Sequence, residues 1–180
     1  FALLEKSGAD RFFLGVESVN NEVLTLFNKS YNTELVTQIV EELRGFDIQI
    51  MMSFVLGDSI SISGGLVADL EKNRRALSEW QKINPNVRFQ ICFHSPYPGT
   101  PTTDLCIKHG YKAPSKLEEY DDNPMFSFQG RTYDDIPWYS EKDEAQYLKR
   151  YKELFPECDD DPEWNWRRDE VAGQFAQRSI

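Results

Sequence analysis

Three short stretches of the chain alternate apolar and polar residues with a period of two, and amphipathic helical patterns separate them. Arg11 to Glu17 is β-branched and aromatic, is bounded by Gly8 and by Asn20-Asn21, and reads as a strand. Thr33 to Arg44 follows as a helix, with Leu35, Val36, Ile39, Val40 and Leu43 on one stripe, Thr33 as N-cap and Gly45 just beyond its end. Ile48 to Leu56 is a second strand, Gly65 to Ile83 a second helix, and Val87 to His94 a third strand; Pro85 stops the helix before it. Strands alternating with helices imply parallel pairing through right-handed crossovers.

The strand faces narrow the architecture further. On one face stand Phe12, Leu14 and Val16, then Ile48, Ile50, Met52 and Phe54, then Val87, Phe89, Ile91 and Phe93. These apolar rows are expected to pack under the helices. The other face reads Arg11, Phe13, Gly15, Glu17; Gln49, Met51, Ser53, Val55; and Arg88, Gln90, Cys92, His94, with Glu17, Ser53 and His94 at or near strand C-termini. A doubly wound sheet is covered on both faces and is apolar throughout. A barrel has one helix-covered face and an interior whose ligands gather at the C-terminal rim. The mixed second face favours a barrel, or a piece of one.

The 180 residues allow one sizeable core and an appendage. A net charge of −10, from 30 acidic and 20 basic residues, argues against a nucleic-acid partner. Cys92, Cys106 and Cys158 are too widely and irregularly spaced for a disulfide scaffold or a paired zinc site, so reduced thiols and a cytoplasmic location are expected, with no metal ligands in the chain. No apolar run approaches the roughly 20 residues that cross a bilayer, and no leader pattern is present, so no membrane association is expected. Phe1 to Lys6 reads as the last turns of a helix closed by Ser7-Gly8, and the chain is expected to begin in mid-domain. Beyond Gly99 the character changes. From Tyr111 the chain is acidic and aromatic and is interrupted by prolines, with a helix from Glu141 to Phe155, a solvated Asp159 to Asp161 turn and a short helix opening at Trp164 to Arg168. The expected division is residues 1–110 as a barrel piece and residues 111–180 as a helical, irregular extension.

Gly8-Ala9-Asp10-Arg11-Phe12-Phe13-Leu14-Gly15-Val16-Glu17-Ser18, Ser53-Phe54-Val55-Leu56-Gly57 and Ser95-Pro96-Tyr97-Pro98-Gly99-Thr100-Pro101 fall in that order on successive strand ends. Together they resemble the later half of radical S-adenosylmethionine (radical SAM) barrels. The likeness spans residues 1 to 120 and is closest to the subgroup that often carries an N-terminal cobalamin-binding domain, such as anaerobic magnesium-protoporphyrin ester cyclases and related methylases. The resemblance implies an α/β fold of about three parallel βα units from a partial (β/α) barrel. It also implies an enzyme in the full-length parent, in which a 4Fe-4S cluster cleaves SAM reductively to a deoxyadenosyl radical that acts on a small-molecule substrate.

The same resemblance implies the SAM contacts. Glu17 and Ser18 match the polar positions after the fourth strand, near the ribose, where a carboxylate can accept from two hydroxyls. Glu17 also suits an N-cap or a loop ion pair for the next helix. Lys29 matches a position that in some relatives contacts the SAM carboxylate. Ser53 corresponds to an inward polar residue that reaches the ribose, and Val55 to Gly57 to the border of the adenine, where Gly57 permits close backbone approach. The relatives' Leu-Pro-Gly-Glu-Thr is replaced by Asp58-Ser59-Ile60-Ser61-Ile62, so the family's glutamate is missing. His94 and Ser95 match a stretch that makes backbone contacts to adenine; a lone histidine is more often a hydrogen-bonded structural residue than a proton donor. Cys92 is expected as a small buried side chain facing the lumen.

The cluster motif Cys-x-x-x-Cys-x-x-Cys is absent, as expected of a C-terminal fragment, since that motif normally follows the first strand. The isolated fragment is therefore expected to be inactive, and its open sheet edges to favour self-association. Two other readings stand beside this one. The first is a non-catalytic barrel remnant that recruits a partner through Tyr133, Trp138, Tyr139, Trp164 and Trp166, although these aromatics equally serve to pack the tail. The second is a cluster-free isomerase or aldolase, which would want a lysine or metal ligands at the strand ends, and none are expected to converge there.

Overall fold

The computed structural model describes residues 1–57, 65–121, 138 and 140–155. The chain opens with α1 (Ala2–Lys6), turns through Gly8 at φ 80° and enters β1 (Arg11–Glu17). A short α2 (Asn21–Leu26) and then α3 (Thr33–Leu43) lead to β2 (Gln49–Leu56). Next come α4 (Leu66–Ile83), β3 (Val87–Phe93), α5 (Pro101–Lys108), α6 (Glu118–Asp121) and α7 (Glu141–Leu154). The expected helix at Trp164 to Arg168 and the Asp159 to Asp161 turn lie outside the described residues.

The strands form one open sheet in the order β1-β2-β3, parallel throughout. Registers pair Arg11 with Gln49 and Gly15 with Ser53 on one side of β2, and Ile50 with Val87 and Ser53 with Gln90 on the other. Beyond β3 the ladder gains one more bond, from the His94 N–H to the Leu56 carbonyl at 2.7 Å.

The face alternation of the sequence is realised. Val16, Ile48, Ile50, Met52, Phe54, Leu56, Val87 and Phe89 are buried in one cluster with Val36, Val40 and Leu43 of α3 and Leu66, Leu70, Leu77 and Trp80 of α4. Each fully buried aliphatic or aromatic side chain contributes about 1.5–3 kcal/mol relative to leaving it in water, so this layer is the main source of cohesion. The other face is mixed: Phe13 is 57 % exposed and Arg11, Arg88 and Cys92 are exposed as well, whereas Met51, Ser53 and His94 are buried. Cys92 thus departs from the expected buried position. Alternation assigns it to the second face correctly, but its side chain stays exposed there, with the Gln90 amide donating to its sulfur at 3.7 Å.

Two local expectations also change. Asn32, not Thr33, caps α3, its Oδ1 accepting from the Leu35 N–H at 3.1 Å. Asn32 has the extended backbone a cap requires, whereas Thr33 is already helical. Leu35 is exposed, because the contact stripe follows Val36, Val40 and Leu43 and passes beside it.

From the extension, Tyr147 and Phe155 join the main core. The Phe155 ring lies 4.7 Å from that of Phe89, and the Arg74 guanidinium sits 4.8 Å above it. Arg150 of α7 donates to Glu71 of α4 at 2.6 Å. Burial pushes the Tyr147 hydroxyl pKa well up. Ser140 and Asp143 form a reciprocal capping box at the start of α7. Tyr133, Tyr139, Trp164 and Trp166 lie outside the described residues.

Trp80 ties the helical layer together. Its ring stacks on Phe54 at 6.4 Å, and its indole N–H donates to the Thr37 hydroxyl of α3 at 2.9 Å. Thr37→Val leaves that buried donor without its partner and is expected to lower the unfolding free energy by about 1–3 kcal/mol. In a Trp80→Phe background, which has no indole donor, the same substitution should have a smaller effect. Urea titrations of the four proteins check this; equal effects in both backgrounds would contradict it.

Candidate functional site

The C-terminal end of β1 is the least regular part of the sheet. Register shifts between Gly15 and Glu17, a β-bulge, and Glu17 takes φ 62°, the left-handed region that side chains other than glycine and asparagine seldom adopt. Such backbone costs on the order of 1–3 kcal/mol, and its surroundings must fix it. Here they do. The Tyr31 hydroxyl donates to the Gly15 carbonyl and lies 3.4 Å from the Val16 carbonyl. The Ser18 N–H donates to Val16 at 2.8 Å, the Asn20 N–H to the Ser18 hydroxyl at 3.0 Å, and the Val19 N–H to Oδ1 of Asn73 on α4 at 3.2 Å.

The turn then becomes α2, capped by Asn20, whose Oδ1 accepts from the Glu22 N–H at 3.0 Å. The N-cap alternative for Glu17 therefore falls to Asn20. At its other end α2 closes with Asn28 at φ 54°, the Asn28 N–H bonded to Thr25 at 3.0 Å and the Lys29 N–H to Leu24 at 2.9 Å. This is a Schellman closure with asparagine in the usual glycine position. It reverses the chain and brings Lys29 back to the strand end. There its Nζ meets Glu17 Oε1 at 2.9 Å in a half-buried ion pair.

The two short turns of α2 thus act as a bracket between a carboxylate and an ammonium twelve residues apart in sequence. Burial works against the charge on Lys29, but the hydrogen bond and the charge of Glu17 outweigh it, and the pKa rises above its ordinary 10.5. The amine is consequently held as ammonium at neutral pH. A lysine that must form a Schiff base needs its pKa lowered instead. Lys29 does reach a strand end, contrary to the sequence expectation that no lysine converges there, but in the wrong state for aldolase-type chemistry.

Of the other expected site residues, Ser53 stands beside this pair. Ser53, buried on β2, is the register partner of Gly15. A β-carbon built at Gly15 would stand 2.9 Å from Glu17 Oε1 and 3.8 Å from Ser53 Oγ, so carboxylate and hydroxyl flank one bare patch of backbone. Val55 is half-buried near the end of β2, and Gly57 follows that strand at φ 76°. Residues 58–64, where the sequence departs from the family pattern, lie outside the described residues. Ser18 is fully buried, and its hydroxyl accepts within the turn, which gives it a structural role.

His94 is buried and stacked on Phe27 at 5.5 Å and 15°. Its backbone N–H serves the sheet ladder, so a backbone contact to a base would have to come from its carbonyl side. Sequence reasoning missed Tyr31, Asn73 and Phe27. Only the Asn20 and Asn28 turn signals could have pointed toward the bracket that places them.

Among the described residues, no group of three or more His, Cys, Asp or Glu side chains is placed to hold a metal ion, and no helix is long and apolar enough to cross a membrane. Cys106 is fully buried on α5, while Cys92 is exposed on the second sheet face. The thiols described do not fit the three-thiolate set of an iron-sulfur cluster.

The raised Lys29 pKa fixes a pH dependence. The pair's contribution to stability is fully present below the unfolded-state value and is lost as pH rises through the higher folded-state value. Following the Lys29 ε-methylene by NMR should give a midpoint above 10.5 in the wild type and a lower one in Glu17→Gln. Identical midpoints would show that the ion pair is not formed in solution.

No family model matches the chain, and no curated protein matches it.

Proposed function

We propose that the chain is the C-terminal part of a radical SAM barrel and that the rim around Gly15 receives the adenosyl part of SAM. The observation that carries this reading is the convergence of three polar groups at the C-terminal end of a parallel sheet. These are the Glu17 carboxylate, seated over Gly15, the Lys29 ammonium bonded to it, and the Ser53 hydroxyl beside them. The three segments of the radical SAM likeness follow in order along or just beyond three consecutive parallel strands, and the sheet face away from the helices carries the polar and exposed residues, Phe13, Arg88 and Cys92 beside a buried Ser53.

The donor set suits the adenosyl moiety. A carboxylate accepts from vicinal ribose hydroxyls, and its charge makes those bonds stronger than neutral ones. Glu17 Oε1 is engaged by Lys29, which orients the carboxylate. Ser53 supplies a neutral hydroxyl beside it, and Lys29 adds positive charge for an anionic end of the ligand. Val55 and Gly57, at the end of β2, are the residues assigned to the adenine side, and the stacked Phe27 and His94 rings are an aromatic surface on which a base could lie. In radical SAM enzymes the bound cofactor supplies the adenosyl group on which the reductive chemistry operates, and this chain binds and orients it.

The cluster ligands are not supplied by Cys92 and Cys106, so no step of cluster chemistry is assigned to these residues. Anaerobic reconstitution of the chain with iron and sulfide should therefore yield no stoichiometric four-iron cluster; full uptake would count against this reading.

In the full-length enzyme, reconstituted anaerobically, Glu17→Gln is expected to weaken SAM binding by about 1–3 kcal/mol, the range for hydrogen bonds to a charged group. Ser53→Ala should act in the same direction and more weakly. Calorimetry measures both. Unchanged affinity in Glu17→Gln, with the cluster intact, would reduce Glu17 to a structural ion pair.

A further inference from the structure

Gly15 is the last regularly paired residue of the β1 ladder before the bulge, and its backbone is not in the left-handed region. Alanine would ordinarily be the better strand residue at such a position. The reason for glycine is therefore to be sought in what a β-carbon would touch.

That contact is specific. The nearest atom to a β-carbon at position 15 is Glu17 Oε1, at 2.9 Å, which is closer than real β-carbons approach any atom. The same oxygen accepts from Lys29 Nζ at 2.9 Å. The left-handed turn at Glu17 and the bulge before it fold the carboxylate back over Gly15, two residues upstream. The next neighbours, Glu17 Cδ at 3.7 Å and Ser53 Oγ at 3.8 Å, are at ordinary contact distance. The conflict is confined to the mobile end of one side chain, so an added methyl group would displace the carboxylate before it disturbed the sheet.

We propose that Gly15 is a positioning residue acting through Glu17: its missing side chain is the seat of the carboxylate, and any side chain there separates Glu17 from Lys29. For ligand binding the inference rests on the adenosyl reading above; for the ion pair it stands without it.

The experiment compares the wild-type chain with Gly15→Ala, Glu17→Ala and the double variant, following the Lys29 ε-methylene by NMR titration and folding by thermal denaturation. In Gly15→Ala the Lys29 midpoint should fall to that of Glu17→Ala while the fold persists, and the double variant should show no further fall. This non-additivity marks action through a shared partner. A wild-type Lys29 midpoint in Gly15→Ala would overturn the proposal. Should Gly15→Ala fail to fold, a folded double variant would locate the conflict at the Glu17 side chain and support it. A double variant that also fails would show that the sheet itself needs the glycine, and would overturn it.

SAM affinity in the cluster-loaded enzyme separates the two claims. Gly15→Ala should lose roughly 10- to 100-fold, as Glu17→Gln does. A wild type that binds no SAM ends the adenosyl reading, and the Lys29 titration still decides the role of Gly15.

Discussion

Everything at the rim depends on the burial of β2. Ile50, Met52, Phe54 and Leu56 are essentially inaccessible, and the strand is bonded on both sides by parallel neighbours. Parallel pairing alone sets no register, since each crossover is long enough to slip. The apolar row of β2 does, because a one-residue slip would turn every one of those side chains to the other face. With β2 fixed against α3 and α4, Gly15 is held opposite Ser53, and the ends of all three strands stay level. Disturbing Phe54 or Trp80 would therefore reach the carboxylate of Glu17 without touching it.

Much of this frame is legible in the sequence. The strands and crossover helices announce themselves because burial on one face imposes a period, and Pro85 and Gly45 punctuate it. Periodicity fails where elements are short. The six residues of α2 and the eight of α5 are too few to show a stripe, and their only signals are caps: Asn20 for α2, and Thr100 followed by Pro101 for α5. Alternation also assigns a face without saying what covers it, which is why Cys92 and Leu35 are exposed where burial was expected.

The site divides along the same line. Strand-end positions such as Glu17, Ser53 and His94 follow from counting along a strand. The meeting of Glu17 with Lys29 does not, because it arises from a bulge, a left-handed residue and a helix closure in succession, each aperiodic. Three irregularities of modest cost act together here, and the product is a carboxylate fixed in direction by an ammonium, with a hydroxyl beside it. On the adenosyl reading, preorganisation of this kind is what would make this strand end a binding rim and not merely a row of polar residues.

On the adenosyl reading, the left-handed backbone of Glu17 sets stability against ligand binding at a single codon. Glycine or asparagine would adopt that conformation with less strain, so a library selected only for thermal resistance should be enriched in exactly the substitutions that delete the carboxylate. Directed evolution of this chain toward robustness would then erode the rim first, while the sheet beneath it improved.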